Sequence, residues 1–382
     1  MAATHRSTLI AAASFIGLLY IAPAQGLLLF FLASAPLVWL RKKMPDPMVT
    51  VYQLGCVAFW IILLYFYIDI QQGVLGALEI VREKLSGEQA GKDAAGAAIS
   101  SLGASYCFLR AVYALRERQM TLWGYFRYYF FIPTFFLGPI MPPDLFLKQI
   151  PRISMDGFRE GTTRIVMGTL RFLTSAVLAL MIPVSDAELM SINATGQSPL
   201  SLWFLTFLTG IWLYLNFSGA SEMAIGAARL VGIHVPENFN NPFAATNLVD
   251  FWRSWHITLG DWLRANVFNP FIRLVGGNST GARGMFSASL VTMVVCGLWH
   301  HFTYSFFVWG IMHGGGLAFN QAWSGWGRPM LGVDILENRL YKMSCWLITH
   351  AYVTLAWSFF FPAINGDISV SLAYMAKLLY IL

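Results

Sequence analysis

Val291-Thr292-Met293-Val294-Val295-Cys296-Gly297-Leu298-Trp299-His300-His301-Phe302-Thr303-Tyr304 reads as a membrane helix that carries two histidines in its apolar interior. The apolar character resumes through Trp309-Gly310-Ile311-Met312-His313-Gly314-Gly315-Gly316. About 28 residues therefore read as membrane, more than one crossing of the hydrocarbon core needs. Ionisable side chains at that depth are costly and mark functional candidates. Neighbouring residues on a helix point about 100° apart, so His300 and His301 can face one cavity only if the helix breaks.

The whole chain extends this pattern. Of its 382 residues, 57% are apolar and only 12% charged, whereas a soluble domain carries about 25% charged residues. The composition predicts an all-α fold, a polytopic membrane helix bundle of about ten spans, organised as a single domain over 1–382. It excludes a cytosolic enzyme, a nucleic-acid-binding module and a disordered chain. The net charge of +6 fits Lys and Arg in cytoplasmic loops, with Arg41-Lys42-Lys43 the clearest such patch. Cys56, Cys107, Cys296 and Cys345 stand far apart in apolar stretches and read as packing residues.

Spans are expected at about 9–40, 49–69, 97–114, 121–141, 164–184, 200–217, 284–298, 303–323, 344–363 and 368–382. The first would make a helix of about 48 Å, and Pro23 is expected to break it in two. Arg6, the apolar run from Leu9 and Ala22-Pro23-Ala24 imitate a signal peptide, but a second apolar run follows at once, so an uncleaved membrane entry is the reading kept. Residues 71–96 are the most polar and read as an interfacial helix and a loop. Phe130-Phe131-Ile132-Pro133-Thr134-Phe135-Phe136-Leu137-Gly138-Pro139-Ile140 is apolar yet interrupted by two prolines and a glycine. It reads either as a kinked span or as a re-entrant segment lining a site.

Between 234 and 278 lies a polar island. His234-Val235-Pro236-Glu237-Asn238-Phe239-Asn240-Asn241-Pro242-Phe243 is dense in turn formers. A helix capped by Asn247 is expected to run through Arg264, with Asp250, Arg253, Ser254, Asp261 and Arg264 on one face and Phe251, Trp252, Trp255, Leu259 and Trp262 on the other. This aromatic, amphipathic pattern suits a bilayer interface. His256, at the edge of the apolar face, gains nothing from lipid and reads either as a hydrogen-bonded packing group or as a site residue.

The histidine spacings match no metal motif, which would want i, i+4 pairs or a supporting carboxylate, so no metal is expected. Ser218 and Ser221 lack the GxSxG elbow of a serine nucleophile. General-base catalysis, which suits an imidazole at neutral pH, and a buried hydrogen-bonded histidine both remain open.

The ordered series Phe217-Ser218-Gly219-Ala220-Ser221-Glu222-Met223-Ala224-Ile225-Gly226, Pro236-Glu237-Asn238-Phe239-Asn240, Asp250-Phe251-Trp252-Arg253-Ser254-Trp255-His256-Ile257-Thr258-Leu259, Gly297-Leu298-Trp299-His300, and Trp309-Gly310 with His313-Gly314 resembles the membrane-bound O-acyltransferase family. The bacterial cell-envelope branch, with its teichoic acid D-alanyl transfer and alginate O-acetylation proteins, is the one it looks most like. Phe131-Ile132-Pro133 and Gly138-Pro139-Ile140 also fit, and the resemblance covers roughly 125–325.

The resemblance implies transfer of a D-alanyl or acetyl group from a cytoplasmic thioester to a hydroxyl of an envelope or exported polysaccharide. The donor would be an acyl carrier protein phosphopantetheine or acetyl-CoA, with no bound cofactor. The setting would be a multi-pass protein of the cell inner (plasma) membrane, among membrane lipid, with a separate extracytoplasmic acyltransferase as a further partner and no nucleic acid. His300 would be the base and His256 the second catalytic histidine. Trp255, Trp299, Asn240 and Arg253 are the candidate substrate-binding residues, and His256 or Asn240 the candidate oxyanion donor. His300 and His256 are expected to line one passage.

Two departures bear on donor and acceptor: His301 stands where the family often has Gly, and Arg264-Ala265-Asn266-Val267-Phe268 replaces an Arg-Asp-Tyr-like helix end. Competing readings are a lysophospholipid- or protein-modifying acyltransferase, a scaffold, and a proton-coupled transporter relaying through His256, His300 and His313. The transporter would be expected to show inverted hydropathy repeats, and none is visible.

Overall fold

The computed structural model describes residues 106–182 except 118 and 136, 198–276, 281–361 and 368–380, with isolated positions 10 and 35. The expectations for 9–40, 49–69, 71–96 and the first part of 97–114, with Pro23, Arg41-Lys42-Lys43 and Cys56, lie largely or wholly outside the described residues. Among the described residues the regular elements are helices, as the composition predicts. Two of them, Pro199–Leu230 and Gly281–His300, are long and apolar enough to cross a membrane. The chain divides into two compact units, one of residues 1–165 with 221–236, the other of 166–220 with 237–382.

The first unit contains α1 (106–114), α2 (Leu122–Tyr129), α3 (Pro143–Leu147), the start of α4 (Met155–Ala179) and the end of α5 (Pro199–Leu230). Thr121 caps α2 by accepting the Gly124 N–H at 2.9 Å. The helix stops at Tyr129, and apart from one tight turn at Ile132–Thr134 the described residues from there to Pro142 are irregular. A continuous kinked span is thereby excluded.

Irregular backbone needs donors for the carbonyls that the helix no longer serves. Arg110 supplies them. Its guanidinium, 3% exposed, donates to the carbonyls of Tyr128 at 3.2 Å, Tyr129 at 3.0 Å and Phe131 at 3.3 Å, and to the carbonyl and hydroxyl of Thr134. It also lies 5.6 Å from the Phe135 ring centroid, a cation–π arrangement. Elsewhere in this unit, Arg229 donates to Glu160 at 2.6 Å and Arg164 to Glu222 at 2.9 Å.

The second unit holds α6 (Leu248–Ser254), α7 (Ile257–Leu263), α8 (Asn269–Leu274), α9 (Gly281–His300), α10 (Tyr304–Trp326), α11 (Val333–Glu337), α12 (Arg339–Ala356) and α13 (Ile368–Leu378). Helices α9 and α10 form an antiparallel hairpin across the short turn 301–303, and Thr303 caps α10. Their backbones touch where glycines permit it. A Cβ at Gly310 would sit 2.6 Å from the Met293 carbonyl oxygen, and one at Gly314 would sit 2.7 Å from Leu290 Cα. Small residues four apart allow this close approach in membrane helices.

Helix α6 begins as expected, with Asn247 Oδ1 accepting the Asp250 N–H at 2.9 Å. Leu248, Phe251 and Trp255 form a buried cluster with Val353 and Trp357. Trp346 donates to the Phe243 carbonyl at 2.7 Å and Tyr352 to the Met312 carbonyl at 2.6 Å, which ties α12 to the polar island and to α10. The single helix expected from Asn247 through Arg264 is corrected: α6 ends at Ser254, and α7 restarts at Ile257. A short π-helical stretch, Arg264–Phe268, follows.

Candidate active site

The break between α6 and α7 falls on His256. Its φ of 44° and ψ of 53° are left-handed, a conformation that costs an L-residue about 1–2 kcal/mol. Asn238 offsets the strain. Its carbonyl accepts the Ile257 N–H at 2.9 Å, while its side-chain Oδ1 meets His256 Nδ1 at 2.9 Å, the Thr258 hydroxyl at 2.9 Å and the Thr258 N–H at 3.4 Å. One register further out, the Asn240 N–H donates to the Ser254 carbonyl at 2.9 Å. The turn-rich loop thus runs back alongside the helix break and clamps it.

This clamp decides a tautomer. A backbone N–H can only donate, so the Asn238 atom facing Thr258 is the amide oxygen, and His256 Nδ1 must carry a proton to bond with it. Nε2 is left with the lone pair. It is buried and has no hydrogen-bond partner among the described residues. His256 itself is 4% exposed, with its ring edge-on to Phe217 at 4.7 Å.

Beside His256 opens a cavity of about 630 Å³ whose lining includes Trp252, Arg253, Asp261 and Arg264, with Met285, Ser289 and Thr292 from α9. Such a volume fits an organic ligand. The exposed Arg253, Asp261 and Arg264 give it a charged edge beside a wall that mixes apolar side chains with His256, Ser289, Thr292 and Gln321.

His300 is the last residue of α9, inside a ring of aromatics: Trp299 at 4.7 Å, Phe360 at 5.2 Å, Trp309 at 5.7 Å and Phe306 at 5.9 Å between centroids. Through Trp309 this cage reaches Trp252 on the cavity wall, 5.7 Å away and edge to face, but His300 itself is not among the residues lining the 630 Å³ cavity. Of the two histidines expected to line one passage, His256 lines this cavity and His300 does not. Because α9 ends at His300, His301 does not swing to the opposite side, and both imidazoles stack against Phe306.

A third histidine joins the site from α10. Trp252 Nε1 donates to His313 Nδ1 at 3.2 Å. An indole N–H has no other role, so His313 carries its proton on Nε2. Trp309 lies one turn before it, with 4.5 Å between the two rings.

Of the residues singled out in the sequence, His256 and Arg253 line the cavity, and His300 stands in the adjoining aromatic cage. Trp299 is buried beside it. Trp255 belongs to the apolar core, stacked on Phe251 at 5.7 Å, and the Asn240 side chain is exposed. Neither lines the cavity. Asn238, Trp252 and Trp309 had no assigned role, although each sits inside one of the quoted motifs; only the pairing with a histidine distant in sequence reveals them.

The sequence profile of the membrane-bound O-acyltransferase family matches residues 58–358. The chain belongs to the membrane-bound O-acyltransferase family. Its relatives include a peptidoglycan O-acetyltransferase of Helicobacter pylori, 34% identical over 44% of this chain and 30% of the relative. A probable alginate O-acetylase of Pseudomonas aeruginosa is 32% identical over 54% of this chain and 36% of the relative. A teichoic acid D-alanyltransferase of Streptococcus thermophilus is 30% identical over 59% of this chain and 58% of the relative. The chain thus spans between 30% and 58% of the length of these relatives. Family membership agrees with the membrane setting read from the composition and with the all-helical architecture.

Proposed function

We propose that this protein is an O-acyltransferase of the bacterial cell envelope, a multi-pass protein of the inner membrane that moves an acyl group from a cytoplasmic thioester to a hydroxyl of an envelope or exported polysaccharide. The acyl group would be acetyl or D-alanyl, carried on acetyl-CoA or on the phosphopantetheine of an acyl carrier protein. The observation that carries this reading is His256 on the wall of a ligand-sized cavity, with the His300 cage joined to that wall through Trp309 and Trp252, within the family's ordered motifs. Relatives named for acetylating peptidoglycan and alginate and for D-alanylating teichoic acid support the substrate class.

In this reading His300 accepts the proton of the acceptor hydroxyl as its oxygen attacks the thioester carbonyl. The tetrahedral intermediate collapses, the thiolate leaves, and the proton on His300 neutralises it. The aromatic cage keeps bulk water from competing for the acyl group. His256, with Nε2 free to accept, would orient the incoming hydroxyl rather than donate to the oxyanion. Arg253 and Arg264 give the cavity positive charge suited to the phosphate of either carrier.

The test is thiol release by the purified full chain supplied with acetyl-CoA, or with a D-alanylated carrier protein, and a polysaccharide acceptor. Release that depends on acceptor and is lost in His300→Ala supports the reading. Equal release by His300→Ala removes His300 as the base, and solute uptake driven by a proton gradient without thioester turnover would favour a transporter instead.

A further inference from the structure

The acyl-transfer mechanism above needs hydrogen-bond donors for the oxygen that becomes negative when the thioester carbonyl is attacked, and His256 is unsuited to supply one. Its Nδ1–H is taken by Asn238 at 2.9 Å, which leaves Nε2 an acceptor. Asn240 is exposed, and only its backbone is engaged.

Two other groups, one beside His300 and the other one turn further along α10, have the opposite character. Trp309, 3% exposed, keeps an indole Nε1–H with no partner among the described residues. His313, 1% exposed, is fixed by Trp252 as the Nε2–H tautomer, and that N–H also has no partner among them. A buried donor without an acceptor is costly and is rarely kept without a role. Here two such donors lie on successive turns of one helix, with rings 4.5 Å apart. The Trp309 ring is also 5.7 Å from that of His300, edge to face. Their placement is rigid, because Gly310 and Gly314, the next residue after each, press against the backbone of α9.

We propose that Trp309 Nε1–H and His313 Nε2–H form the oxyanion hole of the acyl-transfer reaction. This assignment rests on the acyltransferase reading. As the acceptor oxygen bonds to the thioester carbon, its proton passes to His300, and the carbonyl π pair moves onto oxygen, where the two N–H groups receive it. On collapse the C=O bond reforms, the C–S bond breaks, and the thiolate takes the proton from His300. Trp252 is then a positioning residue, since it holds His313 in the donating tautomer. Preorganised donors of this kind polarise the bound carbonyl weakly and the oxyanion strongly, so they act mainly on kcat.

The experiment uses the purified full chain with 1-¹³C-acetyl-CoA. Trp309→Phe keeps an aromatic, though smaller, ring and deletes the N–H; it is expected to lower kcat about a hundredfold with KM within about twofold. His313→Phe should do the same, whereas His313→Gln, whose amide can still donate, should retain more of kcat. Thermal unfolding in detergent separates these effects from misfolding. In a His300→Ala background, where bound thioester accumulates, isotope-edited infrared spectroscopy reads the labelled carbonyl. Donation shifts its stretch to lower frequency, and Trp309→Phe should reduce that shift. Wild-type kcat in both Trp309→Phe and His313→Phe, or a bound carbonyl unshifted from its value in solution, overturns the assignment. If neither acetyl-CoA nor a D-alanylated carrier protein binds to any variant, the acyltransferase reading falls and takes this one with it, a result distinct from binding without a shift.

Discussion

Asn238 Oδ1 and His256 Nδ1, eighteen residues apart in the chain, meet at 2.9 Å in a buried site. The contact does two things at once: it stabilises a left-handed residue at a helix break, and it leaves Nε2 of the same imidazole as a proton acceptor. Fold and chemistry therefore depend on one amide oxygen.

Replacing Asn238 tests this dependence. Asn238→Leu deletes the acceptor for Nδ1 and for the Thr258 hydroxyl, a loss of about 1–3 kcal/mol for buried groups left unpaired. Thioester turnover is expected to fall by about 10–100-fold, the scale seen when a supporting hydrogen bond to a functional histidine is removed. Asn238→Asp retains the acceptor and should keep more activity. Turnover unchanged in Asn238→Leu would show that the tautomer of His256 does not matter.

Arg110 is the test of the irregular segment after α2. Arg110→Met has similar length but removes the guanidinium donors to the carbonyls of Tyr128, Tyr129, Phe131 and Thr134. The cost is expected to be roughly 3 kcal/mol or more, read as a lowered unfolding temperature in detergent or as loss of the monodisperse peak in size-exclusion chromatography. A variant as stable as wild type would mean that these carbonyls find other donors.

The hairpin of α9 and α10 makes a paired prediction. Gly310→Ala places a methyl 2.6 Å from the Met293 carbonyl oxygen, whereas Gly315→Ala meets nothing within 4 Å. The first should destabilise by about 1–3 kcal/mol through overpacking, and the second should be neutral or stabilise by up to about 1 kcal/mol from helix propensity. Thermal unfolding of the two variants side by side gives the comparison.

Glu160 carries a pH dependence. The hydrogen bond from Arg229 holds its carboxyl below the usual carboxylate range, helped by the charges of Arg229 and Arg164. A depressed value stabilises the fold above the unfolded-state pKa of about 4.3 and loses that contribution as pH falls through the folded-state value. With the side chain 44% exposed, the gain at neutral pH is under about 1 kcal/mol. Glu160→Gln should therefore unfold slightly earlier than wild type at pH 7, and the gap should close in acid. A gap that widened in acid would contradict the pairing.

Much of this was legible in the chain itself. Low charge and long apolar runs announce a helical membrane protein because lipid offers the backbone no partners. Asn247 is readable as a cap because its side chain acts on an amide three residues away. The buried and exposed sides of 250–264 were also readable, apart from Ser254, which is 9% exposed. The break at His256 was not. Local sequence gives a non-glycine residue no reason to turn left-handed, and the compensating bonds come from Asn238.

The same division holds for the site. The chain alone marked His300 and His256 as its unusual residues, since an imidazole in an apolar run stands out by composition. Which nitrogen of His256 and of His313 donates, which histidines share an aromatic cage, and that the Trp309 N–H has no partner among the described residues were decided only by tertiary structure. Those properties belong to pairs of groups that meet in space, Asn238 with His256 and Trp252 with His313, and no single residue carries them.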